Sequence, residues 1–179
     1  PMSRTFGALQ VSLVFGPAGN AVEPDHATCL RYLAERDVLD INMARAYGDG
    51  EALVGAGLAA VGQSLAGQFT VSTKVHPSTH ESGTLSHESV LAQARESMRA
   101  LGVQSFDYFL IHQPDTGGVP LEESLRAADE LYRAGVFRRF VREGSQPSTN
   151  QTTDQLRVAW RAGSLELPCI WCHAGVLQV

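Results

Sequence analysis

Residues 106–112 read FDYFLIH, a short run in which nearly every side chain is apolar. Aromatic and branched side chains favour a β-strand. A strand that is apolar on both faces is typical of a parallel sheet covered by helices on both sides. The run also ends in a polar residue, His112. We therefore predict a buried parallel strand with a histidine at its carboxyl end.

Strand candidates alternate with segments of helical period on both sides of this run. The other predicted strands lie at residues 12–15, 38–42, 69–74, 136–141 and 167–171. Helices are predicted after Asp25, around residues 52–59, after Ser86, from Pro120 and at residues 156–162. This alternation with short links implies parallel strands and right-handed crossovers. An open doubly wound sheet and a (β/α)8 barrel both fit, and periodicity alone leaves the choice open.

The composition restricts the class of protein. The chain has 179 residues, 44% hydrophobic and 18% charged, which indicates one globular domain. A net charge of -5 with scattered basic residues favours neither nucleic acid nor an anionic membrane surface as a partner. No apolar run reaches the length of a membrane span, and no signal-peptide core is visible. The three cysteines cannot all pair, so we expect a reducing, cytoplasmic location.

Polar side chains follow three of the predicted strands at the end where barrel enzymes carry their chemistry. They are Asn42 and Tyr47, Lys74, and His112. Taken singly, His112 fits a structural histidine, Lys74 a lysine that reaches to water, and Tyr47 a loop aromatic. Together they suit carbonyl reduction: a tyrosine protonates the developing alkoxide, a lysine lowers its pKa, and a histidine orients the carbonyl.

Five segments resemble the aldo-keto reductase family. Residues 41–47 (INMARAY) look like its signature I-D-T-A-x-x-Y, and residues 106–115 (FDYFLIHQPD) are similar to V-D-L-F-Y-L-H-x-P-D. Residues 14–16, 71–74 and 121–137 extend the resemblance, which is closest to the aflatoxin-aldehyde reductase-like branch. It implies NADPH as cofactor, an aldehyde or ketone as substrate and no metal. Tyr47 would be the acid, with Lys74, His112 and Asn42 as its neighbours in the catalytic group.

The resemblance also implies an incomplete barrel. A full (β/α)8 barrel needs about 250 residues, so residues 1–179 are expected to form a single domain of about six βα units without strands seven and eight. We expect such a barrel to expose strand edges through which copies of the chain can associate.

The family pattern is altered at four places. Asn42 stands where the family has an aspartate that pairs with the lysine, and Asp40 lies two residues earlier on the same strand face. Two residues are missing between Gly50 and Glu51. Residues 142–146 replace the family's G-x-S-N motif, with Ser145 and Gln146 as candidates to bind the nicotinamide carboxamide. Cys172 occupies the position of a glutamine in strand six.

These departures leave a second hypothesis from another functional class. A catalytically silent member of the fold could act as a binding or regulatory module. Replacement of Asn42 by Asp separates the two hypotheses, because a dormant enzyme gains turnover whereas a chain that cannot bind cofactor gains nothing.

Overall fold

The computed structural model describes residues 4–6, 9–11, 14–16, 25–115, 117–143 and 169–172. The strands are β1 (Arg4–Phe6), β2 (Leu9–Val11), β3 (Val14–Phe15), β4 (Asp40–Asn42), β5 (Thr70–Val75), β6 (Phe106–Ile111), β7 (Phe137–Glu143) and β8 (Cys169–Cys172). The helices are α1 (His26–Ala34), α2 (Gly50–Val61), α3 (Gln63–Ala66), α4 (His87–Leu101) and α5 (Leu121–Arg133). A 3-10 turn, Pro77–Thr79, follows β5.

Strands β3 to β8 form one parallel sheet in which their spatial order is their order along the chain. A doubly wound sheet reverses its strand order at a switch point, whereas a barrel adds each strand beside the preceding one. The sequential order therefore resolves the choice that periodicity left open. The fold is of the (β/α)8 type, as the resemblance predicted. Helices α2, α4 and α5 each lie between consecutive strands of this sheet.

Aromatic packing joins β6 to β7 and to α5, whose Tyr132 ring lies 5.8 Å from the Phe137 ring. The rings of Phe109 and Phe137 stack with their centroids 5.3 Å apart, and Phe140 lies 6.4 Å from Phe109. All three side chains are buried. Because Phe109 pairs with Phe140 in the β6–β7 register, this packing supports the alignment of the two strands, whose carboxyl ends carry polar residues.

The element boundaries differ from the predicted ones by one or two residues. The strand predicted from Val38 begins at Asp40, because the Val38 N–H still bonds to the Leu33 carbonyl at the end of α1 (3.0 Å). Strand β6 ends at Ile111, one residue before His112. The antiparallel hairpin β1–β2 was not predicted. The helix predicted at residues 156–162 lies outside the described residues.

Two glycines in α2, which weaken its helical pattern, are explained by close packing. A Cβ atom at Gly55 would lie 2.1 Å from the Ala100 carbonyl oxygen of α4, and one at Gly57 would lie 2.8 Å from the Cβ of His26 in α1. Only glycine allows the backbones to approach so closely.

No helix within the described ranges is long and apolar enough to cross a bilayer. The cytoplasmic location and the association through strand edges stay predictions.

We expect Gly55→Ala to destabilise the fold by about 2 kcal/mol, because the added methyl group must push α2 away from the α4 backbone. Urea unfolding followed by circular dichroism measures this loss. Ala56→Ser is the matched control, since Ala56 is the exposed neighbour in the same helix, and its effect should stay within about 0.5 kcal/mol. Equal stability of Gly55→Ala and the wild type would contradict the described α2–α4 contact.

Candidate active site

Lys74 is the centre of the candidate site. Its side chain is buried, with a residue exposure of 2%. The ammonium group donates hydrogen bonds to the Asn42 side-chain oxygen, to the Met43 carbonyl at 3.1 Å and to the Tyr47 hydroxyl at 3.3 Å. The structure thus brings together three of the four residues that the sequence predicted for catalysis.

The loop that carries Tyr47 is held along β5 by backbone hydrogen bonds. The Met43 N–H donates to the Ser72 carbonyl at 2.8 Å, and the Arg45 N–H donates to the Lys74 carbonyl at 3.0 Å. The loop therefore continues the β4–β5 ladder for several residues after β4 has ended. This continuation places the Tyr47 ring beside the lysine, with the ammonium nitrogen 5.0 Å from the ring centroid.

His112 completes the group at the end of β6. Its backbone N–H donates to the Val75 carbonyl at 3.0 Å, which aligns the ends of β5 and β6. Its ring meets the Tyr47 ring edge-on, with centroids 5.8 Å apart. Burial lowers the pKa of His112 from 6.5 to about 4, and the charges of Lys74 and His76 contribute in the same direction. The imidazole is therefore neutral near pH 7 and keeps one N–H that can donate a hydrogen bond.

Asp40 is the acidic residue of β4 that was a candidate to compensate for Asn42. It lies one position below Asn42 on the same face of β4, opposite Thr70 in the register. A distance of about 6 to 7 Å separates alternate residues along a strand. No hydrogen bond or ion pair joins Asp40 to Lys74 among the described residues, and the Lys74 contact on β4 is the neutral amide of Asn42.

An ion-pair network around the buried Glu51 lies behind the Tyr47 loop and was not predicted. Glu51, 1% exposed, accepts hydrogen bonds from the Arg45 guanidinium (2.7 Å) and the Thr73 hydroxyl (2.5 Å). The same guanidinium bonds to Glu96 of α4 at 2.9 Å. Arg45 thus connects the loop to the first turn of α2 and to α4. The sequence signal for this network is Glu51, a carboxylate near the start of an apolar, glycine-rich helix.

The predicted cofactor contacts are described only in part. Ser145 and Gln146 lie outside the described residues. Cys172 is the last residue of β8 and pairs with Glu143, the last residue of β7. Its position is therefore at the carboxyl ends of the parallel strands, the same end of the sheet as Lys74 and His112. Its role toward a cofactor stays a prediction.

The parallel barrel order and the group at its strand ends define the class of protein. Residues 11–144 match the family model described as the aldo/keto reductase family. Because this match covers well over half of the chain, the chain belongs to the aldo/keto reductases. The matched region contains Asn42, Tyr47, Lys74 and His112, so the family assignment confirms the resemblance drawn from the sequence.

Curated relatives point to a particular branch of the family. The chain is 32% identical over 117 residues to human aflatoxin B1 aldehyde reductase member 2. The matched region covers 64% of this chain and 31% of that protein. It is also 32% identical over 142 residues to human member 4, covering 76% of this chain and 41% of that protein. The chain therefore spans less than half the length of these relatives.

A solved structure supports the fold independently. An aldo-keto reductase from Klebsiella pneumoniae, in complex with NADPH, superimposes with a TM-score of 0.59 at 23% sequence identity. The similarity covers 76% of this chain and 43% of that one. At this level of identity the comparison shows the barrel fold.

We expect Arg45→Met to lower the free energy of unfolding by about 3 kcal/mol, because it leaves the Glu51 carboxylate buried without its cation. Chemical unfolding near neutral pH measures the loss. Arg126→Met is the control, since Arg126 pairs with Glu123 on the surface of α5 and exposed pairs contribute about 0.5 kcal/mol. If both variants lose the same small amount, the network contributes no more than a surface pair.

The lowered pKa of His112 predicts a component of the acid sensitivity. The unfolded chain takes up the proton at about pH 6.5 and the folded chain only at about pH 4, so this residue reduces stability progressively as the pH falls through that interval. We expect His112→Gln to remove this component. Its free energy of unfolding should fall less than that of the wild type between about pH 7 and about pH 4.5. An equal loss of unfolding free energy in the wild type and in His112→Gln would show that His112 has the same pKa in the folded and the unfolded chain.

Proposed function

We propose that the chain takes part in the NADPH-dependent reduction of aldehydes or ketones to alcohols, with Tyr47 as the proton donor. The observation that carries the proposal is the hydrogen bond from the buried Lys74 ammonium to the Tyr47 hydroxyl, 3.3 Å long. A phenol held against a cation at a barrel mouth is suited to protonate an oxygen that becomes negative.

Tyr47 and Lys74 would act as one unit. The phenol oxygen accepts a hydrogen bond from Lys74, so its own O–H remains available to donate to a substrate oxygen. When the proton leaves, the ammonium stabilises the phenolate that forms, because an adjacent positive charge favours the charged form of the phenol.

His112 would orient the carbonyl. Its pKa of about 4 keeps the ring neutral near pH 7, so the ring can offer a hydrogen bond without competing with Tyr47 as the acid. Its edge-on contact with the Tyr47 ring keeps the two groups on one side of the mouth. A substrate oxygen could then accept hydrogen bonds from both side chains.

The strand ends offer a position for the cofactor. When bound, NADPH supplies the hydride. Ser145, Gln146 and Cys172 would hold its carboxamide, and the pairing of Glu143 with Cys172 at the ends of β7 and β8 is consistent with that position. The human relatives are named aldehyde reductases and the Klebsiella protein binds NADPH, which supports the same cofactor and substrate class for this chain.

A calorimetric titration of the folded chain with NADPH, and with NADH for comparison, tests the proposal. Selective binding of NADPH, followed by aldehyde-dependent oxidation of NADPH, is expected. Tyr47→Phe should then lose activity by about 100-fold or more, because general acid catalysis is removed. Tyr32→Phe is the control, since Tyr32 lies exposed on α1, and it should keep full activity. Unchanged turnover in Tyr47→Phe would exclude Tyr47 as the donor.

Substitutions of Asn42 distinguish a slow enzyme from a member of the fold that has lost its activity. A neutral amide accepts a hydrogen bond from Lys74 but does not cancel its charge. We expect Asn42→Asp to raise the turnover of a cofactor-binding chain, because the carboxylate restores the ion pair of the family pattern. Asn42→Ala, which removes the hydrogen bond, should lower turnover. A folded chain that binds no NADPH would contradict the reductase proposal and favour the binding module.

A further inference from the structure

His76 is a second imidazole beside the candidate site and was not among the predicted residues. It follows β5 directly, two positions after Lys74, and its backbone is still extended (φ -138°, ψ 137°). Successive side chains of an extended segment alternate between faces, so His76 points to the same side of the sheet as Lys74. Its ring contacts the His112 ring edge-on, with centroids 5.5 Å apart at an interplanar angle of 76°.

The backbone of His76 is anchored by a buried side chain of α4. Its N–H donates to the Gln93 side-chain oxygen at 3.0 Å. The same oxygen accepts from the Thr79 hydroxyl at 2.7 Å, and the Gln93 amide donates to the Ser89 hydroxyl at 3.0 Å. Gln93 and Ser89 are fully buried. The start of the loop after β5 is therefore fixed from inside the protein.

The ring of His76 is fixed by Ser78. The backbone N–H of Ser78 donates to Nδ1 at 3.1 Å, and its hydroxyl lies 2.7 Å from the same atom. A backbone amide can only donate, so Nδ1 is an acceptor and the neutral ring carries its proton on Nε2. Both the plane of the ring and its tautomer are thus determined before any ligand binds.

We infer that His76 is a positioning residue, which holds the His112 ring in the orientation that the substrate carbonyl requires. The inference rests on the proposed reduction for its kinetic consequence. His112 is in edge-on contact with both Tyr47 and His76. The His76 ring is fixed by the hydrogen bond from Ser78 to Nδ1, and its backbone is anchored by the buried Gln93. A ring that directs a carbonyl must keep its orientation, because small misplacements of a catalytic group reduce the rate strongly.

The neighbouring His80 provides a matched control within the same loop. Its Nδ1 accepts from the Ser82 N–H at 3.2 Å and lies 2.9 Å from the Ser82 hydroxyl. The local arrangement repeats that of His76 and Ser78, but no ring contact joins His80 to His112 among the described residues. A general effect of removing a histidine from this loop would therefore appear in both variants.

Two substitutions separate the ring contact between His76 and His112 from the hydrogen bond between His76 and Ser78. His76→Asn keeps an oxygen that can accept from the Ser78 N–H, as in an Asx turn, and removes the ring. His76→Phe keeps an aromatic ring against His112 and removes the acceptor. Imidazole signals in an NMR titration, assigned with His112→Gln, report the pKa of His112 without any turnover. Tyr47, Lys74 and His76 are the titratable groups that face His112 from the described elements.

We expect His76→Asn to raise the pKa of His112 by about one unit or more, because the ring becomes more exposed, and to lower kcat by about 10-fold. His76→Phe should be affected less than His76→Asn, because it keeps the ring contact with His112 and loses only the hydrogen bond that fixes the ring, and His80→Asn should change neither property. The inference is overturned if His76→Asn leaves the titration and kcat unchanged, or if His76→Phe is as impaired as His76→Asn. Absence of turnover in the wild type would refute the proposed function alone, since the titration still decides the role of His76.

Discussion

The buried ammonium of Lys74 imposes the arrangement of the strands around it. A cation removed from water is costly unless protein oxygen atoms replace its hydration. The described acceptors are a side-chain amide, a backbone carbonyl and a phenol, all from β4 and the loop that follows it. Strand β4 must therefore lie next to β5 in one register, and the loop must follow β5 past its end. The position of Tyr47 is thus a consequence of solvating Lys74.

Helix α4 supports the mouth of the barrel from outside the sheet. Ser89, Gln93 and Glu96 follow one another at a spacing of three or four residues, which places them on one side of the helix. Gln93 holds the loop after β5, and Glu96 reaches Arg45 in the loop after β4. The candidate site therefore depends on a helix that contributes no side chain to the group of Asn42, Tyr47, Lys74 and His112. The close approach of α2 at Gly55 keeps this helix in place.

Much of the fold and the grouping of the candidate site residues could be predicted because the signals are local. The strand that precedes His112 is visible from its run of apolar residues, and Tyr47, Lys74 and Asn42 lie in short motifs. The ion pair between Arg45 and Glu96 joins residues 51 positions apart, and no periodicity connects them. The hairpin β1–β2 has strands of three residues, which are too short for alternation to be recognised.

Successive side chains of β5 face opposite sides of the sheet and make different contacts. Ser72 and Lys74 face the catalytic side, whereas Thr73 faces the helices and binds the buried Glu51. Side chains repeat with a period of two, so a shift by one residue exchanges the faces. Deletion of a single residue early in this strand would bury the ammonium beneath α2 and direct the threonine into the barrel. An insertion or deletion within the strand keeps both faces in place only if it changes the length by an even number of residues.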